Sequence, residues 1–173
     1  MNVMIAFGTV EGQTGKIAQH AAEKARAMDH TVTLFDTSDK LAPVALEDID
    51  HVVLAASVHE RRHPQPFEVF VGANRKQLAK CKTLMLSVSL SAAFEDGMDD
   101  AQDYLAEMKM RTEFEPDAEM LVAGAVKSDS YDYFASQVVR HVVLKDRDYD
   151  PNLGEHEFTD WEALDAGLER FLS

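Results

Sequence analysis

Val3-Met4-Ile5-Ala6-Phe7-Gly8-Thr9-Val10-Glu11-Gly12-Gln13-Thr14 carries an apolar run, 3–8, into a glycine-bearing turn. A helical pattern, Ile17, Ala18, Ala21, Ala25 and Met28, follows at once. A short run that is apolar at every position fits a strand covered on both faces, which is the strand of a parallel sheet between helices. The turn is an anion site on physical grounds. Its glycines expose backbone N–H groups, the helix N-terminus points its dipole at the same spot, and Thr9 and Thr14 add hydroxyls. It is not a Walker loop, because the position five after Gly8 is Gln13. Nor does any G-x-G-x-x-G run through it. Lys16 falls inside the helix, so a phosphate here is held mainly by neutral donors, which suits a monoester on a resident cofactor. The same residues also suit a glycine turn that merely caps a helix.

The alternation continues outward. Apolar runs at 31–35, 52–56, 83–89 and 119–126 read as four more buried strands. Helical stripes lie between and after them: Phe67, Phe70, Val71 and Leu78 behind Pro66; Met98, Ala101, Leu105 and Met108; Tyr131, Phe134, Ala135, Val138 and Val142; and Trp161, Leu164, Leu168 and Phe171, with Thr159 or Asp160 as N-cap. The connection 36–50 holds Pro43 and a weak pattern, and reads as loop with a short helix. Segment 145–158 is the long irregular stretch. Five strand–helix repeats define a doubly wound α/β fold, expected as one domain over 1–173.

Composition limits the function. Apolar residues are 46% and charged residues 28%, which excludes wholesale disorder. With 31 acids against 17 bases the net charge is −14, which argues against a nucleic-acid partner and against unaided binding to an anionic membrane. Cys81 is the single cysteine, so neither a disulfide nor a Cys-based metal cage can form. It reads as a small buried hydrophobe. The histidines lack metal-ligand spacing, and no metal is expected. No run approaches the ~20 apolar residues of a membrane span, and the N-terminus lacks a signal peptide's basic segment. A cytoplasmic protein is expected.

Thr9-x-Glu11-Gly12-Gln13-Thr14 after a first strand resembles the FMN-phosphate loop of flavodoxins, usually Ser/Thr-x-Thr-Gly-x-Thr, with Glu11 departing from that form. It is closer to the menaquinone-dependent protoporphyrinogen IX dehydrogenases, a flavodoxin-fold family of bacterial haem biosynthesis, whose loop has an acid followed by Gly-Gln-Thr. Ala56-Ser57-Val58, Ser87-Val88-Ser89-Leu90, Ala123-Gly124-Ala125 and Tyr131-x-x-Phe134 are similar too. So is the tail Phe158-Thr159-Asp160-Trp161-Glu162, which simple flavodoxins do not carry.

The resemblance implies a flavodoxin-like five-stranded parallel sheet of order 2-1-3-4-5 with helices on both faces, and FMN as cofactor. Thr9, Val10, Glu11, Gly12, Gln13 and Thr14 would cradle the phosphate, Glu11 through its backbone N–H. Ser57, Val58 and His59 would lie along one side of the flavin ring. Ser87, Val88, Ser89, Leu90, Ser91 and Ala92 would form the other wall. The implied reaction takes six electrons from protoporphyrinogen IX in three two-electron steps and passes them to a quinone. No side chain stands out as an obligatory catalytic acid or base, so catalysis would rest on placing the flavin. The weak basic stripe Arg140, His141, Lys145 and Arg147 allows at most peripheral contact with the inner membrane, and a homodimer is open.

His59-Glu60-Arg61-Arg62-His63 is the densest basic cluster of an acidic chain, in the loop expected beside the flavin. Arg61 and Arg62 would anchor the two propionates of a porphyrinogen, or steer an anionic partner; a solvated loop is the plainer reading. Phe134 reads as core, with Tyr131 and Tyr133 left open, and Trp161 as a staple of the last helix to the sheet. The acidic runs at 95–100 and 113–119 read as solvated helix ends that also suit a basic redox partner. Net charge favours a second function, a flavodoxin-like FMN electron carrier with a protein partner. A flavodoxin-fold interaction protein without FMN fits less well, because Gly12-Gln13-Thr14 is intact.

Overall fold

The computed structural model describes residues 1–127 and 155–173. Five parallel strands form the main sheet: β1 (Asn2–Gly8), β2 (Thr31–Asp36), β3 (His51–Ser57), β4 (Lys82–Ser89) and β5 (Ala118–Ala123), in the order β2-β1-β3-β4-β5. This is the expected doubly wound sheet. Helices α1 (Gln13–Ala27), α2 (Gln65–Leu78), α3 (Met98–Thr112) and α4 (Trp161–Leu172) cover it, and two single 3₁₀ turns, Ser91–Ala93 and Glu95–Gly97, lead from β4 into α3.

Strand alternation divides the core in two. Val3, Ile5, Val53, Ala55, Leu84 and Leu86 face α1 and α4, meeting Ile17, Ala18, Ala21, Leu164 and Leu168. Met4, Ala6, Val52, Leu54 and Met85 face α2 and α3, meeting Phe67, Val71, Leu78, Leu105 and Met108. Among the described residues the apolar stripes bury as their spacing requires, Met28, Trp161 and Phe171 only in part. The exception is Met98, which is exposed at the start of α3. Asp160 is the N-cap of α4, accepting from the Ala163 N–H at 3.0 Å. No helix among the described residues is long and apolar enough to cross a membrane.

Three expectations are corrected. The runs at 31–35 and 119–123 form the two edge strands and are not buried throughout: in β2 Phe35 alone is buried, and in β5 Val122 alone. Of the connection 36–50, Asp36 ends β2 and the rest is turns and irregular chain with no helix; Leu46 is nevertheless buried, against the α2 side of the sheet. The apolar run 119–126 is not one strand. It pairs with β4 as far as Ser89↔Ala123, and the chain then crosses at Gly124 into a short strand, β6 (Ala125–Lys127). This strand pairs antiparallel with β7 (Glu155–Glu157), inside the stretch read as irregular. The break falls where β4 itself ends, with the Gly124 N–H donating to the Ser89 carbonyl at 3.0 Å. The stripe 131–142, with Tyr131, Tyr133 and Phe134, and the basic residues Arg140, His141, Lys145 and Arg147 lie outside the described residues.

At the carboxyl end of the sheet three small residues stand in register, Gly8↔Ala56↔Ser87. They leave the space that α2's entry fills: a Cβ on Gly8 would lie 2.9 Å from the Phe67 Cβ. This shelf carries the loop that leaves β3.

Candidate functional site

The loops after β1, β3 and β4 all leave the carboxyl edge of adjacent strands, where open α/β sheets bind ligands. The first is built around Gly12, the α1 N-cap, whose φ of 97° is left-handed and suits glycine. Thr9 Oγ1 accepts the Gly12 N–H at 2.9 Å, which leaves the Thr9 hydroxyl proton available to a ligand. Gly12 has no side chain to cap the helix, and among the described residues no side chain caps the first amides of α1. Thr14 is fully buried, yet its Oγ1 has no hydrogen-bond partner among the described residues. An unpaired buried hydroxyl costs about 1–3 kcal/mol. A ligand oxygen at the helix N-terminus would recover that loss.

Gln13 points elsewhere. Its Nε2 donates to Glu157 Oε2 at 3.1 Å and to Thr159 Oγ1 at 3.0 Å. What Gln13 offers an anion is its backbone N–H. Glu11 turns its carboxylate toward the next loop, with Oε1 3.9 Å from His59 Nδ1. Val10 is exposed.

The second loop is tied to the third by the Val58 N–H, which donates to the Val88 carbonyl at 2.7 Å. Ser57 Oγ is a second buried hydroxyl without a partner among the described residues. His59 and Arg62 exchange both backbone hydrogen bonds, at 2.9 and 3.1 Å, around Glu60 and Arg61. Those two residues have φ of 49° and 65°. Paired left-handed residues are the mark of a type I′ turn, normally built from Asn-Gly; here each side chain adds strain of about 1–2 kcal/mol. Beneath the turn His63 is buried, with Nε2 2.9 Å from Ser87 Oγ.

The two arginines separate. Arg61 sets its guanidinium over the Tyr104 ring, 5.1 Å from the centroid, and Tyr104 Oη lies 3.5 Å from Ser91 Oγ on the opposite wall. Arg62 donates to Glu68 Oε2 at 3.1 Å, and Arg111 holds the other oxygen, Oε1, at 2.6 Å. Burial alone would raise the Glu68 carboxyl, but the hydrogen bonds from Arg111 and Arg62 outweigh it and hold the group below its ordinary value.

The third loop is compact. Ser89 Oγ accepts the Ala92 N–H at 3.2 Å, and the Ala93 N–H donates to the Leu90 carbonyl at 3.0 Å. Gly97 closes the loop where a Cβ would collide with the Ser91 carbonyl oxygen. Ser87, Val88 and Ser89 thus end β4, and Leu90, Ser91 and Ala92 carry the chain on from it, tied to the loop after β3 through Val58 and Val88.

Sequence reasoning missed Glu157, Thr159 and Tyr104 as parts of the candidate site, and counted His63 only as one of a basic cluster, where it is buried against Ser87. Glu157 accepts from Gln13, from Lys16 Nζ at 2.5 Å and from Trp161 Nε1 at 2.6 Å. Thr159 Oγ1 donates to the Ala123 carbonyl at 2.7 Å. Trp161 therefore packs on α1, beside Lys16 and with its ring 4.7 Å from that of His20, and fastens the tail to the first turns of α1 as well as to the core. The resemblance of the tail was the available signal; Tyr104 gave none beyond core spacing.

The profile of the family described as Flavodoxin domain matches residues 4–152, and the chain belongs to that family. It is 23% identical over 165 residues to the protoporphyrinogen IX dehydrogenase [quinone] of Escherichia coli strain K12, covering 95% of this chain and 91% of that protein. Oxidised flavodoxin 1 of Bacillus cereus superposes with a TM-score of 0.53 at 19% identity, covering 82% of this chain and 99% of the other. The flavodoxin of Streptococcus pneumoniae TIGR4 gives 0.54 at 14%, covering 99% and 95%. These solved structures establish the fold.

FMN is the cofactor, and the residues present fit it. Thr14 and Ser57 carry buried hydroxyls that lack partners among the described residues and would serve as donors to it, and the amides at the α1 N-terminus, which has no side-chain cap, would meet its phosphate. Thr14→Val should therefore separate two quantities. FMN affinity falls about tenfold for one lost hydrogen bond to a charged group, while the apo-protein gains about 1 kcal/mol because a buried orphan hydroxyl is removed. Flavin-fluorescence titration and urea unfolding of the apo-protein measure the two. A Thr14→Val variant that binds FMN like the wild type would refute the role of Thr14.

Proposed function

We propose that the protein is an FMN-dependent protoporphyrinogen IX dehydrogenase that passes electrons to a quinone. The observation that carries this reading is the match to the Escherichia coli enzyme from end to end, 95% of one chain against 91% of the other. Thr9, Gly12, Thr14 and the first amides of α1 hold the phosphate, with Val10, Glu11 and Gln13 contributing backbone. Ser57, Val58 and His59 face Ser87, Val88, Ser89, Leu90, Ser91 and Ala92 across the ring. Bound FMN supplies the two-electron acceptor; the side chains position it and the substrate.

Among the two arginines, Arg61 is the anchor for a substrate carboxylate. No carboxylate among the described residues pairs with it, and Tyr104 holds its guanidinium beside Ser91. Arg62 already serves Glu68, and acts on an incoming anion mainly through its charge. The protein works in the cytoplasm and meets the quinone by peripheral contact with the membrane.

The test is an anaerobic titration of FMN-reconstituted protein with protoporphyrinogen IX. Flavin absorbance should bleach as porphyrin absorbance rises, and Arg61→Ala should raise KM at least tenfold with kcat little changed, the cost of about 1.4 kcal/mol or more for a lost charged contact. A flavin that stays oxidised overturns the reading in favour of an electron carrier. The acidic surface supports that second reading: Glu95, Asp96, Asp99 and Asp100 cluster in exposed positions after β4 on a chain of net charge −14, a surface suited to a basic protein partner.

A further inference from the structure

Lys16 is the one cation in the first turn of α1, the turn that begins the phosphate site. A lysine there would ordinarily be assigned to the phosphate, but its amine is already engaged. Lys16 Nζ lies 2.5 Å from Glu157 Oε2, the same oxygen that accepts from Gln13 Nε2, and 5.5 Å from the Trp161 ring centroid. Glu157 is itself fixed from the other side by Trp161 Nε1, at 2.6 Å from its Oε1. One carboxylate from the tail thus holds the first residue of α1, its first cation and the first residue of α4.

We propose that Glu157 sets the charge of the phosphate site: it keeps Lys16 in an ion pair, so that the loop binds the FMN phosphate through neutral donors. The inference rests on FMN as the cofactor and is independent of which substrate the flavin oxidises. Its chemistry has a definite sign. In Glu157→Gln the amide oxygen can still accept from Trp161, while the amide nitrogen turns a donor toward Lys16. Lys16 is released with its charge unmatched, in the first turn of the helix whose N-terminus would hold the phosphate. Conversely, Lys16→Met leaves the carboxylate uncompensated beside a dianion.

The experiment titrates FMN and, as the phosphate-free control, riboflavin into wild type, Glu157→Gln, Lys16→Met and the double variant at low and high salt. Glu157→Gln should bind FMN about three- to tenfold more tightly and Lys16→Met about three- to tenfold more weakly. That is the scale of a unit charge acting through partly aqueous surroundings, and salt should shrink both shifts. The double variant should return to within about twofold of wild type, since charges of both signs are gone. Riboflavin should bind alike to all four.

Equal FMN affinities in all four proteins would overturn the proposal. So would riboflavin shifting in parallel with FMN, or Glu157→Gln binding FMN more weakly, either of which marks the tail as a purely structural clamp. If Lys16→Met fails to fold, Glu157→Gln decides alone through its sign and its salt dependence. A wild-type chain that binds no FMN removes the cofactor and this inference together. A chain that binds FMN but leaves protoporphyrinogen untouched still tests it.

Discussion

Acidification from pH 7 to pH 4 is expected to remove about 3 kcal/mol of folding stability through one side chain, His63. Burial lowers the His63 imidazole from 6.5 to about 4; the nearby Glu68 carboxylate opposes that shift and Arg111 assists it. The unfolded chain therefore takes up a proton as the pH falls through 6.5, whereas the folded chain does so only near 4. Between those values the unfolded state binds more protons, so stability is lost as the pH is lowered. Above 6.5 the group contributes no slope, and below 4 its effect is complete. Glu68, Asp117 and Glu157, all held below their ordinary values, then carry the loss further toward acid.

The hydrogen bonding explains why the proton is unwelcome. His63 Nε2 meets Ser87 Oγ at 2.9 Å, while Nδ1 is buried without a partner among the described residues. A bare lone pair is tolerated there better than an unsatisfied N–H, so Nε2 carries the proton and donates to Ser87. Protonating Nδ1 would create a buried charge and an unpaired donor at once. Urea unfolding at half-unit steps from pH 7 to 4 measures the slope. His63→Gln, which can still donate to Ser87, should flatten it between 6.5 and 4.5. If the slope survives in that variant, the loss belongs to other groups. Because His63 lies beneath the 59–62 turn, FMN release should follow the same acid limb.

Much of this architecture can be read from the apolar runs, because a strand buried on both faces must be apolar at every position. The same signal misleads at 119–126. Apolar character continues past Ala123, but the pairing partner changes there because β4 stops at Ser89, and a run of hydrophobic residues says nothing about its partner's length. The glycine turn that opens α1 is legible from Gly12, whose left-handed backbone suits glycine. The turn at Glu60 and Arg61 is not, because it adopts the left-handed region with no glycine to announce it. Glu157 is harder still: its contact with Lys16 spans 141 positions and joins two charged residues with no shared periodicity.

Replacing Glu68 with alanine is expected to destabilise the protein by about 3 kcal/mol, the scale of breaking a buried ion pair from one side. The residue is 7% exposed and lies in the first turn of α2, where the helix dipole favours a carboxylate. Its loss strands two guanidiniums unequally. Arg111 donates to Oε1 from both Nε, at 3.0 Å, and Nη2, at 2.6 Å, joining α3 to α2. Arg62 makes one bond and its side chain is 56% exposed, so water can replace Glu68 for it. Arg62→Ala should therefore cost less than about 1 kcal/mol and Arg111→Ala about 2 kcal/mol, the range between a solvated pair and a charged, forked hydrogen bond. The double variant Glu68→Leu, Arg111→Leu should recover most of the loss, because an apolar pair needs no partner where a lone charge does. Chemical unfolding of the four proteins at neutral pH decides the matter. Equal losses for the two arginine variants would show that Arg62 is not the lesser member of the cluster, and would return it beside Arg61 as a structural equal in holding the wall of the flavin site.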